Sequence, residues 1–164
     1  MLAAYTLLHV VISLVGIISG LVVLFEMLTA QRFDCWTKIF LLTTVLTSVT
    51  GLFFPFHGIT PAIVIGIISL VVLAPAIYAR YGRHLASGWR KTYVITAMIG
   101  LYLNVFILIV QSFQKIPALK ELAPTQSEPP FKIAQFVVLV LFIVLGTFAT
   151  IRFRPEPVPS AQTA

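Results

Sequence analysis

Along the chain, apolar residues gather into five long runs, at about 5–28, 36–54, 61–79, 92–113 and 131–151, with polar residues confined to the short stretches between them. Crossing roughly 30 Å of hydrocarbon at about 1.5 Å per residue takes around 20 residues, so each run can span a bilayer. Lipid offers no partner to a free amide, and runs of this length therefore predict helices that close their backbone bonds internally. The strict alternation of barrel strands is missing. The predicted fold class is all-α: one integral membrane bundle of five transmembrane helices over residues 1–151, followed by a mobile, Pro-rich tail over 152–164.

The breaks between the runs carry their own signals. The short stretch Pro55 to Pro61 leads from the second run into the third, which makes those helices antiparallel neighbours. Thr60 followed by Pro61 reads as an N-cap and first helical residue, and Pro75 should kink the third helix by removing a backbone donor. Only 115–131, KIPALKELAPTQSEPPF, is long and poorly suited to lipid. Within it, 116–122 predicts a short interfacial helix with Ile116, Leu119 and Leu122 on one side. Residues 123–131 then predict a proline-rich cap on the fifth helix, with Ser127 as N-cap and Pro129 and Pro130 in the first turn.

Composition agrees with a lipid solvent. The chain is 59% hydrophobic and 10% charged, against about 45–50% and about 25% for a soluble domain. The net charge of +6 lies between apolar segments rather than in a basic domain, which assigns it to orientation and anionic headgroups and excludes nucleic acid as a partner. Arg32, Lys38, Arg80, Arg83, Arg90, Lys91, Arg152 and Arg154 fall on one side, and Lys115, Lys120 and Lys132 on the other. Basic loops resist translocation, so the richer side is predicted to be cytoplasmic, with the N-terminus periplasmic and the C-terminus cytoplasmic. The first run lacks the basic n-region and cleavage site of a secretory signal and reads as a retained helix.

Small and polar residues then mark where helices meet. Gly16 and Gly20 form a GxxxG that favours close contact, either within the bundle or with a second copy. The second helix carries Thr43, Thr44, Thr47, Ser48, Thr50 and Gly51. Gly100, Asn104 and Gln111 share a face of the fourth helix, and Gln135 and Gly146 a face of the fifth. An amide in lipid is costly, so Asn104 should point inward.

Sorting polar residues by depth gives a candidate ligand-binding pocket at the outer end, formed by His9, His57, Asn104, Gln111, Glu128 and Gln135. Thr125, Gln126 and Ser127 are candidate outer-loop contacts. His9 and His57, with Glu128, are ligand types for a metal or haem. They lack a fixed spacing, however, and no metal or cofactor is assigned. Glu26, an acid in an apolar helix, fits a proton or cation path, or a pair with Arg32. The lone Cys35 forms no internal disulfide and has no neighbouring ligand set. No nucleotide-binding loop, nucleophile with a base, or thiolate pair is present, so the reading is non-enzymatic.

The runs LTTVLTSVTGLFFPF at 42–56, GIISLVVLAPAIYARY at 66–81, LYLNVFILIVQSFQKIPAL at 101–119 and LAPTQSEPPF at 122–131 resemble small bacterial multi-pass inner-membrane proteins of unassigned function. The resemblance covers most of 7–154 and implies a bacterial inner-membrane location without a reaction. Ile63 departs from it, standing where similar sequences are expected to carry His. The functional expectation is an accessory or assembly component, joined to a larger membrane complex or to a second copy through Gly16 and Gly20, or a small ligand-binding membrane module. The alternatives are a transporter or channel using the polar faces of helices two and four, and a redox or metal-handling protein using His9 and His57.

Overall fold

Each apolar run folds as a long helix. A computed structural model describes residues 2–31, 34–54 and 60–153, which contain six α-helices and no strand. These are α1 (Leu2–Thr29), α2 (Asp34–Leu52), α3 (Pro61–Ile77), α4 (Trp89–Lys115), α5 (Pro117–Leu122) and α6 (Pro129–Arg152). All but the six-residue α5 are long and apolar enough to cross a membrane, which bears out the all-α membrane bundle of five spans. Side chains such as Leu42, Val71, Phe136 and Ile151, each more than 60% exposed, have hydrocarbon as their natural neighbour.

The helices run past the apolar limits. α4 starts at Trp89, carrying Arg90 and Lys91 in its first turn, and α6 continues to Arg152, one residue into the expected tail. Arg32, His57 and the tail from Arg154 lie outside the described residues.

Thr60 caps α3 as its sequence predicts, with Ile63 N–H donating to Thr60 Oγ1 at 3.4 Å and Pro61 occupying the first turn. After Pro75, the helix does not simply continue: Tyr78–Gly82 widens into a π-helical turn. A helix that has lost one backbone bond can relax this way without stopping. The following loop is tight, with positive φ at His84, Leu85 and Ser87. Leu85 is held there by its burial in the core, at 4% exposure.

α4 is the central helix, packed against α1, α2, α3 and α6. The tightest packing lies toward the end that carries Arg80, where Val23, Met27, Phe40, Leu73, Tyr93, Leu101 and Phe153 are all sealed from solvent. In lipid such packing is held by dispersion and close approach rather than by transfer from water. Gly20 makes it feasible. A Cβ there would lie 2.4 Å from Leu101 Cδ1 and 2.9 Å from the Phe40 ring. Gly16, one turn away, faces Thr43, Thr44 and Asn104. The GxxxG face is therefore filled by α2 and α4 of the same chain. This corrects the expectation of a homo-oligomer through Gly16 and Gly20, because that surface is already occupied.

Charged residues tie the Arg80 end together. Arg80 pairs with Asp34 and stacks over the Tyr93 ring at 5.7 Å. Arg90 Nη1 donates to Thr150 O at 3.2 Å, satisfying a carbonyl in the last turn of α6, where a cation is favoured.

Candidate functional site

At the opposite end, which carries Lys115, the four helices α1 to α4 separate and enclose a cavity of about 510 Å³. Small-molecule sites are typically about 300–1,000 Å³, mostly apolar, with a few placed polar groups. This cavity fits that description. Its walls are chiefly Val10, Leu14, Ile17, Ile65, Leu103, Ile107 and Leu108. Its floor is the packed core, where Gly20, Phe40, Leu73 and Leu101, all buried, lie beyond Ile17 and Leu103.

Three of the six predicted pocket residues line it: His9, Asn104 and Gln111. His9 sits in the second turn of α1, and its Nδ1 lies 2.8 Å from Thr50 Oγ1. That hydroxyl also donates to Leu46 O at 2.7 Å, which ties the imidazole to the backbone of α2. Phe54 packs edge-on against the imidazole at 5.1 Å, and the neighbouring Tyr5 donates to Thr50 O at 2.7 Å. These contacts lock the ring.

Asn104 points inward as predicted and donates from Nδ2 to Thr44 Oγ1 at 3.2 Å. Gln111 makes no side-chain hydrogen bond among the described residues. Lys115 stands at the mouth without an ion pair among them.

The other predicted pocket residues go elsewhere. Gln135 donates from Nε2 to Phe106 O at 3.2 Å in the α4–α6 contact, and its Oε1 is buried without a partner. It belongs to a different side of α4 from the cavity. Glu128 also stays outside, as the N-cap residue of α6 in place of the expected Ser127. Its side chain does not cap the helix but turns back over the loop. Oε1 accepts from Thr125 N at 3.1 Å and Thr125 Oγ1 at 2.8 Å, and Oε2 accepts from Ser127 N at 3.0 Å. Thr125 and Ser127 also share a short hydroxyl contact.

Gln126, at φ 59°, donates from Nε2 to Val110 O at 2.9 Å and accepts from Gln114. The three outer-loop candidates are thus engaged in clamping the loop to itself and to α4, and none lines the cavity. His57 lies outside the described residues, so the pairing with His9 that a metal or haem site would use is not seen. Among the described residues no three His, Cys, Asp or Glu side chains cluster as a metal site, and Glu26 is buried at the far end, where Thr37 donates to its Oε2 at 3.4 Å.

The Glu128 turn has a pH signature. Desolvation works against the charge there, but the hydrogen bonds from Thr125, Ser127 and its own backbone prevail and hold the carboxyl below its ordinary range. A depressed folded value means that the stabilisation is present above the unfolded carboxylate pKa and is lost as pH falls through the folded one. Amide exchange at Thr125 and Ser127, corrected for its intrinsic pH dependence, should be protected at neutral pH and accelerate several-fold on acidification. Glu128→Gln should show the fast exchange at every pH.

Sequence reasoning did not place Ser69, Thr47 or Lys115 in the cavity. Ser69 is the sole polar side chain in α3, buried at 2%, and that isolation in an apolar helix was its signal. Thr47 lines the cavity with an Oγ1 that is buried and unpartnered. Lys115 was used only to count charge. No protein-family model, curated protein or solved structure matches this chain. The site's chemistry therefore rests on its own residues.

Proposed function

We propose that this protein is a small ligand-binding module of the bacterial inner membrane, and that its site is the cavity between α1, α2, α3 and α4. One observation carries the reading: a bundle packed closely enough to require glycine at position 20 leaves about 510 Å³ open at its other end. On its wall stand Thr47, whose buried Oγ1 has no partner among the described residues, and Gln111, whose side chain makes no hydrogen bond among them. Buried polar groups are normally satisfied, and orphans facing a cavity indicate an occupant. The packed floor supports binding over passage, because a channel through α2 and α4 needs a polar route past Phe40 and Leu101. The hydroxyls of Thr43, Ser48 and Thr50 are turned onto carbonyls of their own helix.

Native mass spectrometry of the chain, extracted in mild detergent, tests this. A bound small molecule at one per chain is the expected result. Folded, uniformly empty protein that takes up no amphiphile from added membrane extract would sink the reading.

The same proposal places the Lys115 end in the periplasm. Lys38, Arg80, Arg83, Arg90, Lys91 and Arg152 lie at or near one end of the bundle, and Lys115, Lys120 and Lys132 at the other, which is the asymmetry that favours the first as cytoplasmic. Exposed Cys35 is a native probe at the Arg80 end. In intact cells it should resist a membrane-impermeant maleimide, whereas Glu121→Cys in a Cys35→Ser background should be labelled. The reverse pattern would invert the topology.

A further inference from the structure

Resting on the reading of the cavity as a ligand site, we propose that its ligand is a single-chain amphiphile with an anionic head, a carboxylate or phosphate, and that it enters sideways from the surrounding leaflet between α1 and α4. The head sits against Lys115 and the Gln111 amide, and the chain runs down the cavity.

Three independent features converge on this class of ligand. The first is charge. The cavity wall contains no aspartate or glutamate, while its mouth holds Lys115 without an ion pair among the described residues. Lys115 and His9 both line the cavity, so ammonium and imidazole face one volume. Such a mouth favours an anion over a cation.

The second is the order of groups with depth. Lys115 and Gln111 lie at the mouth, and Leu108, Ile107 and Leu103 follow along α4. From Lys115 to Leu103 the helix descends about 18 Å at 1.5 Å per residue, the reach of one extended chain with its head at the interface.

The third is the opening. Val10 and Leu14 of α1 and Leu108 of α4 line the cavity and remain 37%, 42% and 38% exposed. The wall is thus unsealed by packing where α1 and α4 face each other, and the proposed entry lies there. A lipid-dissolved chain therefore reaches the cavity without entering water, with its head at the depth of Lys115 throughout.

Most polar groups lower down are already engaged: Asn104 donates to Thr44 Oγ1, Ser48 to Thr44 O and Ser13 to His9 O. Thr47 Oγ1 is the buried atom on the wall left without a partner among the described residues, one hydroxyl beside an otherwise apolar path for the chain.

The test is a scintillation-proximity assay on the purified full-length protein in nanodiscs of neutral phosphatidylcholine. Radiolabelled palmitate is the probe. Unlabelled palmitate, lysophosphatidate, hexadecanol and hexadecyltrimethylammonium are the competitors. The anionic competitors should displace the probe about tenfold better than hexadecanol or the cation, the equivalent of about 1.4 kcal/mol. Palmitate and lysophosphatidate will rank carboxylate against phosphate. Lys115→Gln should erase the preference, whereas Lys120→Gln, on exposed α5, should keep it.

If hexadecanol competes as well as palmitate, or Lys115→Gln retains the preference, the anionic assignment is overturned while the cavity remains a ligand site. If helical, monodisperse protein shows no saturable binding of any probe, and native mass spectrometry finds it empty, the ligand-site reading falls as well.

Discussion

Gly20→Leu is expected to abolish the folded bundle, and Gly20→Ala to destabilise it by about 1–3 kcal/mol. A single methyl at this position starts 2.4 Å from Leu101 Cδ1 and 2.9 Å from the Phe40 ring. Neither neighbour can retreat, because both are 1% exposed and packed on all sides. The methyl is accommodated only if α1 moves away from α2 and α4, which strips contacts from Val23, Leu24 and Met27 together. Leucine exceeds any such adjustment. Gly146→Ala is the matched control, since its Cβ would meet Met98 at 3.9 Å, an ordinary contact, and should change stability by less than about 0.5 kcal/mol. Unfolding by sodium dodecyl sulfate in mixed micelles reads all three. Equal stability of Gly20→Ala and wild type would mean that the α1 contact is looser than described.

The second large effect is on binding. Gly66 lines the cavity from α3, and a Cβ added there meets only Ser48 O at 3.5 Å and Leu52 Cδ2 at 3.6 Å, both ordinary contacts. Gly66→Phe should therefore place its ring in the open volume rather than in the core. Ligand affinity should fall about a hundredfold or more, equivalent to ~2.7 kcal/mol, while thermal stability in detergent holds or rises because a void has been filled. Separation of the two readouts is the point of the substitution. A variant that loses stability in step with binding would show instead that position 66 is a packing site, and one that binds as well as wild type would place the ligand elsewhere.

How much of this was legible in the sequence follows from what a helix reveals about itself. Span number, caps and depth are properties of a single segment, so the five runs, the Thr60–Pro61 start of α3, the short helix α5 and the prolines opening α6 could be read directly. Rotation of one helix relative to its neighbours depends on all of them at once. Asn104 and Gln135 have similar chemistry, yet α4 is the central helix and its polar contacts point to different sides. Asn104 faces α2 and the cavity, whereas Gln135 docks onto Phe106 from α6.

The same limit applies to Gly16 and Gly20. A small-residue stripe announces close approach but not the partner, and here the partners are Phe40, Thr43 and Leu101 of the same chain. Glu128 escaped for a different reason. Its composition signal was that of a helix start, and it does occupy the N-cap position. Its carboxylate, however, satisfies the amides of Thr125 and Ser127 instead of those of α6, a choice that depends on loop geometry. The left-handed conformation of His84, Leu85 and Ser87 was not legible, because Leu85 and Ser87 have no intrinsic preference for it and burial of Leu85 imposes it.

The most direct measurement of the central claim is photolabelling in native membranes with a single-chain lipid bearing a diazirine in its tail, followed by peptide mapping. Saturable adducts on residues 10–17 of α1 and 103–112 of α4, suppressed by Gly66→Phe, are the predicted result. Adducts confined to the lipid-facing groove of α4 and α6 around Tyr102, Leu139 and Phe142, unchanged by Gly66→Phe, would contradict it.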